Sequence, residues 1–281
     1  MFPFDQLDRL EQLSFLDPIA HPLAKVVTSV VKPGALEDAL HGTWLGHPLH
    51  AVLVQVPIGS FVSATLLDVT KADERAADRL ALVGLLSAVP AAAAGATDWS
   101  RSNPSTQRSG LVHAAMNTAG LGLWIASLLA RRRGDRSAGT RLGLLGTAVI
   151  GASGTVGGHL SYRKGLGADS LSDLADTVAS GWLDVGTDDL PEGSPVRRDA
   201  AGTPVVLVRQ GSTVAALAAH CTHQSGPLDE GEVTDGCITC PWHGSRFRLS
   251  DGAVEHGPSV HPQPTFDVRT SDGRIEVRFS S

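Results

Sequence analysis

The chain has 281 residues, of which 42% are hydrophobic and 19% are charged, and its formal net charge is −6. This balance excludes the strongly basic footprint of a nucleic-acid-binding domain, and the length allows two domains of ordinary size. Residues 1–161 contain 13 Lys and Arg against 12 Asp and Glu, whereas residues 162–281 contain 10 against 17. The two halves are therefore predicted to be different kinds of domain.

Residues 1–46 carry apolar side chains at helical spacing, first from Phe4 to Leu10 and then from Ile19 to Val30. The pattern predicts two short amphipathic helices that lie in a membrane interface or pack on a helical bundle. Acidic residues alternate with the apolar ones as far as Phe15, so we expect no cleavable signal peptide.

Residues 47–161 contain four long apolar segments, at residues 49–69, 80–97, 111–130 and 142–160. None of them contains Lys, Arg or Glu, and their only acid is Asp68. About 20 apolar residues cross the hydrocarbon core of a bilayer as a helix. Glycine and alanine are abundant in these segments, and small residues let helices approach closely in lipid. The sequence predicts an all-α four-helix transmembrane bundle, with buried helices of a soluble domain as the alternative.

Histidines gather at one end of this predicted bundle, because antiparallel helices would bring His47, His50, His113 and His159 to the same face. Ionisable groups at membrane depth are candidate functional groups. We expect His50, His113 and His159 to be the cofactor-binding candidates, for haem b or a quinone. Pro48 disfavours a helical conformation at His47. Anchoring in the headgroup region and helix capping are the alternative roles.

Three stretches in this region resemble an uncharacterised family of four-helix membrane domains, over roughly residues 42–168. They are His47-Pro-Leu-His50 with Pro57-Ile-Gly59, His113 with Asn117, and Gly157-Gly158-His159-Leu160. The connectors at residues 70–79 and 131–141 hold eight Lys and Arg, and the opposite face holds six. The positive-inside rule then favours cytoplasmic connectors. We expect a multi-pass plasma-membrane protein whose C-terminal domain is extracytoplasmic.

Residues 162–181 are predicted to be a tether, and residues 182–281 a separate domain containing two matched boxes. The boxes are Cys221-Thr-His223 and Cys240-Pro-Trp-His243-Gly244, each with one thiolate and one imidazole. A [2Fe–2S] cluster with two Cys on one iron and two His on the other requires this donor set. A zinc site is the alternative, although Cys and His ligands of zinc usually come as separate pairs. Cys237 lies in a short apolar run, which predicts a buried thiol in a strand.

The C-terminal sequence closely resembles the Rieske family, through both boxes, Leu228 and Gly231 between them, and Gly257-Pro258-Ser259 after them. Some members of this family are fused to the membrane family above. The resemblance implies an all-β iron–sulfur domain whose metal ligands are Cys221, His223, Cys240 and His243. It also implies that Ser245 donates a hydrogen bond to the cluster, and it places Phe247 where the quinol-oxidising subtype has a tyrosine.

Together these features predict a membrane-anchored one-electron carrier, coupled to a haem or quinol site in the bundle. A membrane-tethered ferredoxin-like module serving a separate oxygenase or reductase is the alternative. We expect a redox partner protein, the lipid bilayer and a quinone as partners, and no nucleic acid. No catalytic residue is assigned, because Rieske oxygenases add a large domain with a second iron site. The chain is therefore expected to be an electron-transfer component.

Overall fold

A computed structural model describes residues 7–280. The chain divides into two compact units. The helical unit contains the described residues up to Lys32 together with Pro48–Lys164, and the β unit contains Pro33–His47 together with the chain from Gly165 onwards. The segment predicted over residues 1–46 is thus shared between the two units. Phe4, the start of its first predicted helix, lies outside the described residues.

The helices are α1 (Asp17–Val30), α2 (Ala35–His41), α3 (Leu49–Leu53), α4 (Gln55–Thr70), α5 (Glu74–Ser100), α6 (Pro104–Arg132), α7 (Arg136–Gly158) and α8 (Leu174–Thr177). Two 3₁₀ turns, Asp8–Gln12 and Ser14–Leu16, precede α1, and a π turn, His159–Arg163, follows α7. Helices α2 and α8 belong to the β unit. The starts of α5 and α7 are capped by Asp73 and Asp135, whose carboxylates each accept a backbone N–H at 2.9 Å.

The interior of the helical unit consists mainly of small residues around one aromatic pair, and large aliphatic residues cover its outside. Ala64 and Ala81 are fully buried, and the rings of Phe61 and Trp124 stack there with centroids 5.0 Å apart. The exposed large side chains on the long helices are instead aliphatic, and include Val62, Leu66, Leu86, Val89 and Ile125. This distribution is typical of helices that pack through small residues and face lipid with large ones.

Within residues 7–280, three stretches of helix are long and apolar enough to cross a membrane, at Leu49–Thr70, Glu74–Ser100 and Pro104–Arg132. The fourth predicted span, over residues 142–160, is helical as α7 until Gly158 and then passes into the π turn. Among the described helices α7 does not qualify as a span by length and composition. Its many Gly, Ser and Thr residues dilute its apolar character. The prediction of a helical N-terminal region is confirmed, and the number of four membrane-spanning helices stays a prediction.

The β unit contains ten strands: β1 (Leu183–Thr187), β2 (Pro195–Ala200), β3 (Thr203–Gln210), β4 (Thr213–Ala218), β5 (Glu232–Thr234), β6 (Cys237–Thr239), β7 (Arg246–Arg248), β8 (Val254–His256), β9 (Thr265–Ser271) and β10 (Arg274–Phe279). Six strands form one sheet in the order β1-β10-β9-β4-β3-β2, and four form a second in the order β5-β6-β7-β8. Every pairing between these strands is antiparallel.

Alternation along β3 divides the apolar core into two clusters. Val205 and Leu207 face one cluster, whereas Val206 and Val208 face the other. Successive side chains of a strand point to opposite faces of its sheet, so one strand can line both. The second cluster also contains both cysteines of the predicted boxes and Phe247 of β7. The predicted metal centre is therefore built at the edge of a packed core.

Candidate metal centre

Each predicted box folds as a tight loop at the end of a strand. After β4, the Cys221 carbonyl accepts the N–H of Ser225 at 3.0 Å, and the Cys221 N–H binds the carbonyl of Gly226 at 2.8 Å. After β6, the carbonyl of Cys240 accepts the N–H of Gly244 at 3.1 Å. Closing a loop in this way turns a Cys and a His two or three residues apart toward the same side.

The two loops bring the four predicted ligands together. The side chains of Cys221 and Cys240 are hydrogen-bonded to each other, and these residues are 0% and 2% exposed. The rings of His223 and His243 lie edge to face, with centroids 5.0 Å apart. Cys237 is a buried free thiol in β6, as its apolar surroundings predicted. The structure thus supplies two buried sulfurs and two adjacent imidazoles.

Electrostatics favour a neutral imidazole at His223 and one thiolate in the cysteine pair. Burial, and then the neighbouring His243 and His41, lower the pKa of His223 to about 3, so its imidazole is neutral at physiological pH. The hydrogen bond from the Cys221 thiol lowers the pKa of Cys240 to about 7, and the same contact together with burial raises the pKa of Cys221. The two thiols therefore titrate as one pair, in which the first thiolate forms easily and the second proton leaves when a metal replaces it.

The residues present fit a [2Fe–2S] cluster. Within the described part of the chain, the buried Nδ1 atom of His223 has no hydrogen-bond partner. A buried ring nitrogen in that state is costly unless a ligand satisfies it. A Cβ atom added at Gly226 would lie 2.6 Å from the sulfur of Cys240. The first loop therefore approaches the second cysteine more closely than any residue with a side chain would allow.

Buried hydroxyl and amide groups hold the loops in place. The Ser245 hydroxyl binds the sulfur of Cys221 and accepts the N–H of Ser259 at 3.0 Å. The hydroxyls of Ser259 and Thr222 are 2.8 Å apart, and the side-chain oxygen of Gln263 accepts the N–H of Thr222 at 3.1 Å. The predicted proline loop over residues 257–259 is therefore tied to both boxes. Sequence reasoning missed Gln263, which lies outside every motif.

A second missed feature is α2, which packs on the same proline loop within the β unit. The carboxylate of Asp38 accepts the N–H of Gly257 and a hydrogen bond from Nδ1 of His256, both at 2.9 Å. The ring of His41 is fully buried against Gly257, where an added Cβ would come within 2.8 Å of the ring. No motif in the sequence connects α2 to residues more than 200 positions later.

In the helical unit, two of the predicted cofactor-binding histidines bind backbone carbonyls. Nδ1 of His50 lies 2.8 Å from the carbonyl oxygen of Ala91, and Nδ1 of His113 lies 2.9 Å from that of Ser153. Both nitrogens must donate in these contacts, so each lone pair is on Nε2. Nε2 of His113 in turn accepts a hydrogen bond from the amide of Asn117 at 3.1 Å.

His159 lies in an ionic cluster. Its Nε2 atom is 3.3 Å from a carboxylate oxygen of Glu11 and 3.6 Å from one of Asp8. Lys164 pairs with Glu11 at 2.7 Å, and Arg163 pairs with Asp8 at 2.5 Å. Because the carboxylates already have cationic partners, this cluster is an ion-pair network and needs no metal ion.

Two buried Cys beside two adjacent His in a small antiparallel β domain define the class of Rieske-type iron–sulfur proteins. The family model of the Rieske [2Fe-2S] domain matches residues 181–267, and that of the family Predicted membrane protein (DUF2231) matches residues 46–170. Both resemblances stated from the sequence are confirmed. The chain belongs to the Rieske [2Fe–2S] family through its β unit, and it carries the membrane domain ahead of it.

Three curated relatives illustrate the range of this family. The anthranilate 1,2-dioxygenase ferredoxin subunit of Burkholderia cepacia is 30% identical over 105 residues, which are 37% of this chain and 97% of the subunit. The cytochrome b6-f complex iron-sulfur subunit of Chlorobaculum tepidum is 32% identical over 33% of this chain and 50% of its own length. The chain spans only 15% of human apoptosis-inducing factor 3, at 32% identity over 33% of this chain.

Proposed function

We propose that the protein is a membrane-anchored Rieske electron carrier whose β unit delivers single electrons to a separate oxygenase or reductase. The observation that carries this proposal is the extent of the match to a ferredoxin subunit. The β unit spans 97% of that relative, so it contains nearly everything that a separate electron-transfer subunit has. The helical unit then acts as the anchor, since its outer surface is aliphatic and three of its helical stretches suit a bilayer.

Within this proposal each side chain of the centre has a defined task. We infer that Cys221 and Cys240 hold the buried iron and that His223 and His243 hold the outer one. A bound [2Fe–2S] cluster supplies one-electron exchange. Ser245 donates a hydrogen bond to a ligand sulfur, whereas Phe247 offers no second donor.

The side of the membrane is also a proposal. The connectors at residues 70–79 and 131–141 carry more Lys and Arg than the opposite face, which favours a cytoplasmic position for them. The β unit would then be extracytoplasmic, at the plasma membrane.

A haem or quinone site in the helical unit is the second candidate, and His50 favours it. Metal-ligating histidines typically donate one ring N–H to a carbonyl and present the other nitrogen to the metal. His50 has this arrangement, because its Nδ1 binds the carbonyl of Ala91. Gly95 on α5 packs against the same ring, where a Cβ would come within 2.6 Å. His113 fits less well because Asn117 already uses its Nε2, and His159 is engaged by carboxylates.

The spectrum of the full-length protein, purified in detergent, tests these functions. An electron paramagnetic resonance (EPR) signal of a Rieske cluster without haem bands, together with electron delivery to an added Rieske oxygenase component, supports the ferredoxin-like role. Haem bands that disappear in His50→Ala, or cluster reduction by a quinol that the same substitution abolishes, would support the second candidate. Absence of the cluster from protein assembled with iron and sulfide would contradict both.

A further inference from the structure

Residues 33–47 lie in the sequence between two parts of the helical unit, yet they fold as part of the β unit. We name this segment the cap. Its helix α2 is bounded by Gly34 and Gly42, whose φ angles of 134° and 89° favour glycine. The two glycines allow the chain to turn sharply into and out of α2. The segment is therefore shaped as a separate element, distinct from the end of α1.

The cap binds the proline loop through the carboxylate of Asp38, whose two oxygens each accept one hydrogen bond. Asp38 accepts the N–H of Gly257 with one oxygen and Nδ1 of His256 with the other, at 2.9 Å in both cases. A second contact follows at the end of the cap, where the rings of His47 and His261 lie edge to face with centroids 6.2 Å apart. Both ends of the loop over residues 256–261 are thus held by the cap.

The same element lies beside the loops around one of the two predicted histidine ligands. His41 is fully buried on Gly257 of the proline loop. Ser259 of the same loop is hydrogen-bonded to Thr222, the residue before His223. The backbone of His223 also pairs with Asp169, and Thr222 accepts the N–H of Ser170 at 3.0 Å. His223 is consequently only 6% exposed.

The other histidine lies in a different environment. His243 is half-buried, and the Trp242 ring beside it has its centroid 6.2 Å away. Trp242 is 53% exposed, whereas a large aromatic side chain is usually mostly buried in a folded protein. The two ligands therefore differ in access, with His223 closed and His243 open.

We propose that the cap is a built-in cover over His223, so that His243, with Trp242 beside it, is the ligand through which a redox partner exchanges electrons. This inference rests on the proposed function as an electron carrier. It makes Asp38 and His41 positioning residues. It also predicts one site of electron exchange, at His243 and Trp242, instead of two equivalent imidazole edges. We name this site the port.

A charge placed near the port should change the rate of exchange with a charged probe. In full-length protein with a reduced cluster, each ferricyanide ion takes one electron and becomes ferrocyanide. We expect Trp242→Glu to react about three- to tenfold more slowly than Trp242→Gln at low ionic strength, and the difference to shrink in salt. The Glu and Gln variants differ only in charge, so the loss of the ring cancels between them.

Trp44, which lies in the cap and is 68% exposed, supplies the matched control. Trp44→Glu and Trp44→Gln should react at the same rate. The proposal is overturned if the charge at position 44 slows the reaction as much as the charge at position 242, or if neither charge slows it.

A second measurement tests the cover without any electron acceptor. Asp38→Ala should loosen the cap, so a soluble dysprosium complex should relax the EPR signal of the cluster more strongly than in wild type. Amide hydrogen exchange over Ala35–His41 should also accelerate. Asp184→Ala is the control, because it removes a carboxylate of β1 that pairs with Arg274 of β10, outside the cap. If Asp38→Ala matches that control in both measurements, the cap does not close the site. Wild-type protein without a cluster would instead refute the proposed function.

Discussion

The hydroxyl of Ser245 offers the sharpest test of how this centre sets its potential. The side chain is fully buried, accepts the N–H of Ser259 at 3.0 Å and donates to the sulfur of Cys221. Reduction adds one negative charge to the centre, so a donor to sulfur stabilises the reduced state more than the oxidised one. Replacing Ser245 with Ala should therefore lower the midpoint potential.

The size of the shift follows from the strength of such a bond. A hydrogen bond to a charged acceptor contributes about 1.5–3 kcal/mol. If about half of that value is specific to the reduced state, Ser245→Ala costs about 0.75–1.5 kcal/mol on reduction. For a one-electron couple, about 59 mV corresponds to a tenfold change, or about 1.4 kcal/mol. We therefore expect a decrease in the midpoint potential of about 30–65 mV.

Redox titration followed by EPR measures this shift directly. Ser259→Ala is the matched control, because its hydroxyl contacts the hydroxyl of Thr222 and the carbonyl of His261, and it makes no bond to sulfur. The control should move the potential by less than about 15 mV, since it keeps the charged hydrogen bond. Equal shifts in the two variants, or no shift in Ser245→Ala, would refute the reasoning.

Three further predictions concern the same centre. His223→Cys and His243→Ala should each abolish the Rieske EPR signal while the protein still enters the membrane fraction, and an unchanged signal in either would remove that ligand. The wild-type midpoint potential should lie near or below zero, low in the roughly −150 to +300 mV Rieske range. Phe247→Tyr should raise the potential, and a wild-type value near the top of the range would contradict the prediction of a low potential. Gly226→Ala should reduce the amount of cluster bound per chain, because the new methyl group overlaps the sulfur of Cys240, whereas Gly151→Ala, in open space, should not.

That the four predicted ligands lie together could be predicted, because the geometry of each box is local. A Cys and a His two or three residues apart need only one tight turn, and the hydrogen bonds from Ser225 to Cys221 and from Gly244 to Cys240 provide it. The order of the strands was not predictable in the same way. The pairing of Ala216 in β4 with Phe266 in β9 joins residues 50 positions apart, and no local pattern specifies it.

The cap was missed for a related reason. From the sequence, residues 33–46 fall in the predicted interfacial segment of residues 1–46 and His47 falls in the predicted bundle, since a short amphipathic segment suits a membrane surface as well as a protein surface. The groups that the segment contacts distinguish a protein surface from a membrane surface. The carboxylate of Asp38 meets the N–H of Gly257, and only the tertiary structure brings these groups together.

The histidines of the helical unit show where residue type alone is ambiguous. Their common depth suggested one cofactor site for His50, His113 and His159. In the structure, Asp8 and Glu11 lie beside His159 because the 3₁₀ turn Asp8–Gln12 packs against the π turn that follows α7. Carboxylates from a distant segment thus give His159 a structural role that its own helix does not predict.

The helical unit contains its own test of stability, at the end where α4 and α6 meet. The side chains of Arg131 and Asp68 are 3% and 1% exposed and form a buried ion pair. Arg131 also binds Asp78 at 2.8 Å and the hydroxyl of Ser127 at 3.1 Å, and Arg136 reaches Asp68 at 2.7 Å. The buried guanidinium of Arg131 therefore has three polar partners, and partners of this kind are the condition under which a buried charge is tolerated.

Removing one partner of this pair should be costly, because it leaves Arg131 buried with less compensation. We expect Asp68→Ala to lower the free energy of unfolding in mixed micelles by about 3–5 kcal/mol. Asp78→Ala should cost about 1 kcal/mol or less, because that carboxylate is 41% exposed and water can replace it. The EPR signal of the cluster should stay unchanged in both variants if the β unit folds around its own core. Similar small losses in the two variants would show that the pair is hydrated, and loss of the cluster in Asp68→Ala would show that the helical unit does more than anchor the chain.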